Sequence, residues 1–120
     1  MNRTRTLAAV ACAALGTAVA GAGAAGAATP KLLASVSDPL NISLTVGGKK
    51  VSTLKAGTYT ILVQDTASDH NFHLAGPGVN KSTSVGAKVT TTWKVTLRKG
   101  TYTYVCDPHK AFMKGSFTVS

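Results

Sequence analysis

Val89-Thr90-Thr91-Thr92-Trp93-Lys94-Val95-Thr96-Leu97-Arg98-Lys99-Gly100-Thr101-Tyr102-Thr103-Tyr104-Val105-Cys106 reads as two strands joined by a turn. Large or β-branched side chains recur at every second position in each half, the period of a half-buried strand and not of a helix. Val89, Thr91, Trp93, Val95 and Leu97 share one face, which predicts Trp93 in the core, while Tyr102, Tyr104 and Cys106 share another. Arg98-Lys99-Gly100 interrupts the pattern where a turn is needed.

Upstream the alternation is weaker, above all before residue 50, but short β-branched and aromatic runs still alternate with turn residues. Leu32–Val36, Leu40–Val46, Gly57–Gln64, Asn71–Leu74, Lys88–Leu97, Thr101–Cys106 and Ser116–Val119 are expected strands. Gly47-Gly48 marks a hairpin and Gly76-Pro77-Gly78 a loop. Leu54-Lys55-Ala56-Gly57-Thr58-Tyr59 echoes Leu97-Arg98-Lys99-Gly100-Thr101-Tyr102. Leu-x-x-Gly-x-Tyr at the start of a strand matches the tyrosine corner, where a phenol hydroxyl ties a crossing between sheets to nearby backbone. Two corners in an all-β chain predict a Greek-key β-sandwich.

Downstream, Cys106-Asp107-Pro108-His109-Lys110-Ala111-Phe112-Met113 sets a thiol, an imidazole and a thioether in one loop between strands. Asp69-His70-Asn71-Phe72-His73 adds two more imidazoles at the start of another strand. Singly, each has an ordinary structural role; buried cysteines, for instance, are common. Together, two His, one Cys and one Met are the donors of a type 1 copper site, in which imidazole suits Cu(II) and sulfur suits Cu(I). Parity selects between the upstream pair. His70 falls with Phe72 and Leu74 on the inward face, so His70 is the expected ligand, and His73 is expected at the surface or behind the ligands.

The chain has 120 residues and a formal charge of +9. Arg3 and Arg5, the apolar run Leu7–Ala20 and Ala25-Gly26-Ala27 have the layout of a secretory signal peptide over 1–28, leaving 29–120 as one domain. Without the leader, eleven basic residues face four aspartates, a net charge of +7, and Cys106 is the only cysteine because Cys12 leaves. An exported domain with one thiol makes no internal disulfide, so metal ligation is a reason for keeping it. Met113 is the only methionine after the leader. The basic charge suggests acidic redox partners or an anionic cell surface, and the scattered lysines argue against nucleic acid.

These motifs, His70-Asn71 followed by Tyr102-x-x-x-Cys106-x-Pro108-His109 and Met113, resemble the cupredoxins, the plastocyanin, pseudoazurin and amicyanin group, over nearly all of the chain after the leader. In detail the pattern looks more like exported bacterial members than photosynthetic ones. The resemblance implies a cupredoxin-like sandwich holding one copper ion through His70, Cys106, His109 and Met113. It also implies that Asn71 braces the two ligand loops, that Pro108 removes a backbone donor near the sulfur, and that His109 is the electron port. Pro108, Ala111, Phe112 and Pro77 are the candidates for an apolar patch around that port. Two departures stand out. Three residues separate His109 from Met113, between the two of amicyanin and the four of plastocyanin and pseudoazurin. Asp107 stands where a small hydroxyl residue is usual.

The expected protein is a monomeric, exported (periplasmic, extracellular or envelope-bound) one-electron carrier and not an enzyme. Copper delivery is the alternative, but such modules favour several methionines. A metal-free immunoglobulin-like structural domain would usually have a second cysteine. A multicopper enzyme would need more than three histidines, and zinc disfavours methionine.

Overall fold

Two five-stranded sheets face each other across a core built from alternate residues of their strands. The computed structural model describes residues 30–120; the expected leader, 1–28, lies outside the described residues. In chain order the strands are β1 (Lys31–Ser37), β2 (Asn41–Val46), β3 (Lys49–Lys50), β4 (Thr53–Leu54), β5 (Gly57–Asp65), β6 (His73–Gly76), β7 (Val79–Ser82), β8 (Val89–Leu97), β9 (Gly100–Val105) and β10 (Lys114–Val119). One sheet has the order β3-β2-β1-β5-β8 and the other β4-β10-β9-β6-β7. β1 runs parallel to β5 and β4 parallel to β10; the remaining pairs are antiparallel. The chain changes sheet on either side of the short strand β4, between β5 and β6, between β7 and β8 and between β8 and β9, as a Greek-key sandwich requires.

Alternation drives this packing. Ile61 and Val63 of β5 are fully buried, as are Leu32, Ala34 and Val36 of β1, while their neighbours face outward. Along the inner face of the second sheet, Tyr102 stacks on its cross-strand neighbour Phe117 with centroids 5.3 Å apart, and Tyr104 stacks on Phe72 at 5.5 Å. Gly115 pairs with Tyr104 across β9 and β10, and a Cβ there would collide with the Tyr104 ring. The glycine therefore makes room for a large aromatic two residues from Cys106.

Both tyrosine corners form. Tyr59 Oη donates to Lys55 O at 2.7 Å. Tyr102 Oη accepts from Arg98 N at 2.8 Å and lies 2.8 Å from Pro77 O. The first ties down the start of β5 and the second the turn into β9, so the strands that carry the site leave from fixed ends.

Two expectations need correction, and three strands lie outside the sequence reading. Trp93 is only partly buried, because β8 is an edge strand; it tilts against Phe72 and lies under the Lys81 ammonium at 5.9 Å. The Asn71–Leu74 strand begins at His73. The short edge strands β3, β4 and β7 had no period long enough to read.

Candidate metal centre

The end of β9 and the start of β6 lie side by side, with Val105 paired to His73. Cys106 thus leaves β9 beside the segment that carries His70. From Cys106 the chain turns through a 3-10 helix, Asp107–His109, with Pro108 in its first turn, where a missing N–H costs nothing. The loop folds back on itself: Met113 N donates to His109 O at 2.8 Å, and Cys106 N donates to Met113 O at 3.0 Å. Val105 and Lys114 then pair as β9 meets β10. The sandwich closes the loop at its mouth, which fixes Cys106 and Met113 together.

Three donor atoms converge inside that mouth. His70 Nδ1 and His109 Nδ1 are 3.1 Å apart, and Cys106 Sγ lies 3.6 Å from the first and 3.5 Å from the second. His70, Cys106 and Met113 are fully buried and His109 half-buried. His70 Nε2 lies 2.9 Å from Pro39 O and 3.2 Å from Asp38 Oδ1. Only an Nε2–H satisfies the carbonyl, so the proton sits there and the Nδ1 lone pair is left free to face the sulfur. A point equidistant from three atoms so spaced lies about 2 Å from each, the length of a metal–imidazole bond. Two neutral imidazoles, a thiolate and a thioether on the same loop fit a single type 1 copper ion.

Behind the donors, Asn71 and Asp107 clasp the two ligand segments. Asn71 Oδ1 accepts from Asp107 N at 2.7 Å, and Asn71 Nδ2 donates to Asp107 Oδ2 at 2.8 Å and to Thr83 O at 3.2 Å. Thr83 Oγ1 accepts from Phe72 N at 2.9 Å and donates to buried Asp65 Oδ2 at 3.0 Å. The loop between His70 and His73 is therefore held on both sides. Such outer hydrogen bonds orient the ligands of a metal centre and tune it.

His73 points away from the three converging atoms. Its Nδ1 lies 3.0 Å from Asp107 Oδ1 and its Nε2 2.6 Å from Asn80 Oδ1. The bond to Asp107, then that to Asn80, raises its pKa above the usual imidazole value. Burial alone would push the Asp107 carboxyl up, but the hydrogen bonds from Asn71 and His73 outweigh it and hold the group below the ordinary carboxylate range. A raised histidine contributes stability that is full below its unfolded pKa and lost as pH rises through the folded one. A depressed aspartate contributes above its unfolded pKa and loses that as pH falls through the folded one. The pair accordingly stabilises most between about pH 4 and 6.5. Thermal melts of wild type and His73→Gln should differ most near pH 5–6 and converge above neutrality. A difference independent of pH contradicts the ion-pair account.

Around His109, Pro108 and Ala111 are exposed and the Phe112 side chain is 76% exposed. Leu40, next to the Pro39 carbonyl that His70 faces, adds a further exposed apolar side chain. Pro77 does not join them. It lies in the β6–β7 turn at the other end of the sandwich, tied to Tyr102 and close to Gly100. Its expected place in the patch rested on composition alone. The contact of Asp38 and Pro39 with His70 was not foreseen, since nothing in Asp38-Pro39-Leu40 beyond a turn signal announces it.

Comparison with known proteins agrees with this geometry. The profile of the family described as copper binding proteins, plastocyanin/azurin family, matches residues 48–120. Among curated proteins none matches the sequence significantly. Among solved structures, a reduced rusticyanin superposes with a TM-score of 0.56 at 23% identity, over 77% of this chain and 79% of that one. Rusticyanin from Thiobacillus ferrooxidans gives 0.54 at 25% identity, over 77% of each chain. At such identities the structural likeness supports the fold, while the profile covers more than half of the sequence, including Cys106, His109 and Met113. The chain belongs to the plastocyanin/azurin family of copper-binding proteins, the cupredoxins.

Proposed function

We propose that the protein is an exported, monomeric one-electron carrier in which His70, Cys106, His109 and Met113 hold the copper ion. The observation that carries this reading is the convergence of His70 Nδ1, His109 Nδ1 and Cys106 Sγ, with the His70 tautomer set by Pro39 O. Bound copper supplies the reversible Cu(II)/Cu(I) couple. The chain's part is to hold the donors in one arrangement that serves both oxidation states. Asn71, Asp107 and Thr83 resist movement of the two ligand segments, and little rearrangement means fast transfer. Four protein donors leave no open position for a substrate, which argues for a carrier and against an enzyme.

Export follows from the leader at 1–28 and from the lone cysteine of the domain at 29–120; the compartment is periplasmic, extracellular or cell-envelope associated. Electrons pass by way of His109, half-buried beneath the apolar rim of Pro108, Ala111 and Phe112, to a redox protein with an acidic surface. Encounter with such a partner slows as ionic strength rises, because the attraction is screened. Replacing Lys110 and Lys114 lowers the bimolecular rate in stopped-flow measurements and leaves the visible spectrum unchanged. Rates that are flat across salt with every acidic partner contradict the steering role.

The ligand choice is tested by comparing His70→Ala with His73→Ala. The first loses the visible copper spectrum and stoichiometric copper binding, while the second keeps both. The reverse outcome transfers the ligand role to His73.

A further inference from the structure

Charge is distributed unevenly along the sandwich. All four aspartates of the chain stand at the donor end: Asp38 between β1 and β2, Asp65 at the end of β5, Asp69 before β6 and Asp107 after β9. Lys88, Lys110 and Lys114 lie at the same end and nearly balance them. The far end has no acidic side chain; the one carboxylate there is that of Ser120, whose O accepts from Ala56 N beside Lys55. There Lys31 opens β1, Lys49 follows the Gly47-Gly48 turn, Lys55 lies between β4 and β5, and Arg98 and Lys99 form the β8–β9 turn, all exposed. Lys50, Lys81 and Lys94 lie along the flanks. The net positive charge of the domain therefore resides away from the donor atoms.

Two further features distinguish the far end. Leu33, 37% exposed, lines a shallow groove with Lys31, Gly47 and Gly48, and Val46, 42% exposed, stands at the same end on the opposite face of its strand. A few apolar side chains ringed by cations suit the boundary between lipid headgroups and acyl chains. Pro30, whose carbonyl accepts from Thr60 N, is also at this end, so the apolar leader sequence joins the domain here. A surface rich in anionic lipid attracts each nearby Lys or Arg within a Debye length, and it pulls less on the donor end, where four aspartates offset Lys88, Lys110 and Lys114.

We infer that the end formed by Lys31, Lys49, Lys55, Arg98 and Lys99 seats the protein on an anionic phospholipid surface, with His109 and the donor end turned outward. The seat does not involve the donor atoms, so it stands whether or not copper is bound.

Co-sedimentation of the full chain, metal-free and copper-loaded, with phosphatidylglycerol/phosphatidylcholine vesicles tests it. Pure phosphatidylcholine vesicles measure what the leader alone contributes. The anionic excess should fall about 100-fold in Lys55→Gln/Arg98→Gln/Lys99→Gln, at roughly fivefold per charge. It should fall less than about fivefold in Lys88→Gln/Lys110→Gln/Lys114→Gln, which loses the same charge from the donor end. Lys31→Gln/Lys49→Gln gives a second reading at the far end should the first variant melt early. Equal losses in the two triple variants would reduce the effect to net charge and overturn the inference. So would the absence of an anionic preference, or tighter binding to soluble polyphosphate than to vesicles of equal charge. With copper loaded, reduction by neutral hydroquinone should proceed equally fast on vesicles and in solution. A tenfold slowing on vesicles would place the donor end against the lipid and overturn the orientation.

Discussion

Cys106→Ser loses the intense visible absorption of the copper-loaded protein completely, while Met113→Leu keeps it and raises the reduction potential. Cys106 is fully buried and its sulfur lies 3.5–3.6 Å from both imidazole nitrogens. The thiolate is the donor from which charge transfer to Cu(II) occurs, and a serine hydroxyl at the same place has no comparable electron to give. Met113 is a weak axial donor that favours one oxidation state over the other without creating the colour. Replacing its thioether with a hydrocarbon of similar volume costs little in packing, so the change is read cleanly in the potential. A blue Cys106→Ser protein contradicts the ligand set outright. A colourless Met113→Leu protein gives the thioether a larger part than the account allows.

Copper raises the melting temperature substantially. The described domain is small and its one cysteine is free, so no disulfide constrains its unfolded state. A ligand that binds only the folded state adds about 4 kcal/mol at a thousandfold excess over Kd. For a domain of this size that corresponds to roughly 20 °C. The effect requires donors already assembled by the fold, as the closed Cys106–Met113 loop and the Asn71–Asp107 clasp suggest. Calorimetric scans of metal-free and copper-loaded protein check this, and coincident melts speak against a preformed site.

Strand alternation carried most of the fold into the sequence. Tyr102 and Tyr104 could be placed on one face because a sandwich buries one face of each strand and period two marks it, a signal plain in the C-terminal half and weaker before residue 50. The two tyrosine corners were legible for a related reason: a phenol placed at a fixed offset from a glycine has a local backbone partner, and local geometry shows in local sequence. Trp93 departs because alternation gives the face of a residue but not whether its strand is central or at an edge. The strands β3, β4 and β7 are held by pairing with distant strands, which no short stretch of sequence reveals.

At the site, parity chose His70 over His73 even though the strand begins later than expected, because the extended segment from His70 to Leu74 still alternates, apart from buried Asn71. The residues around the ligands were harder to read. Asp107 was visible only as an unusual neighbour of Cys106; its bonds to Asn71 and His73 depend on β6 and β9 lying side by side. Asp38 and Pro39 reach His70 from a turn thirty-odd positions away, a contact that only the assembled sandwich creates.

The central claim is that His70, Cys106 and His109 bind copper in a trigonal, sulfur-bonded site with Met113 as the axial donor. The most direct measurement is the combined absorption and EPR spectrum of the oxidised, copper-loaded protein. The account predicts an intense blue thiolate-to-copper band with narrow copper hyperfine splitting. A pale protein with the wide splitting of ordinary tetragonal Cu(II) would contradict it.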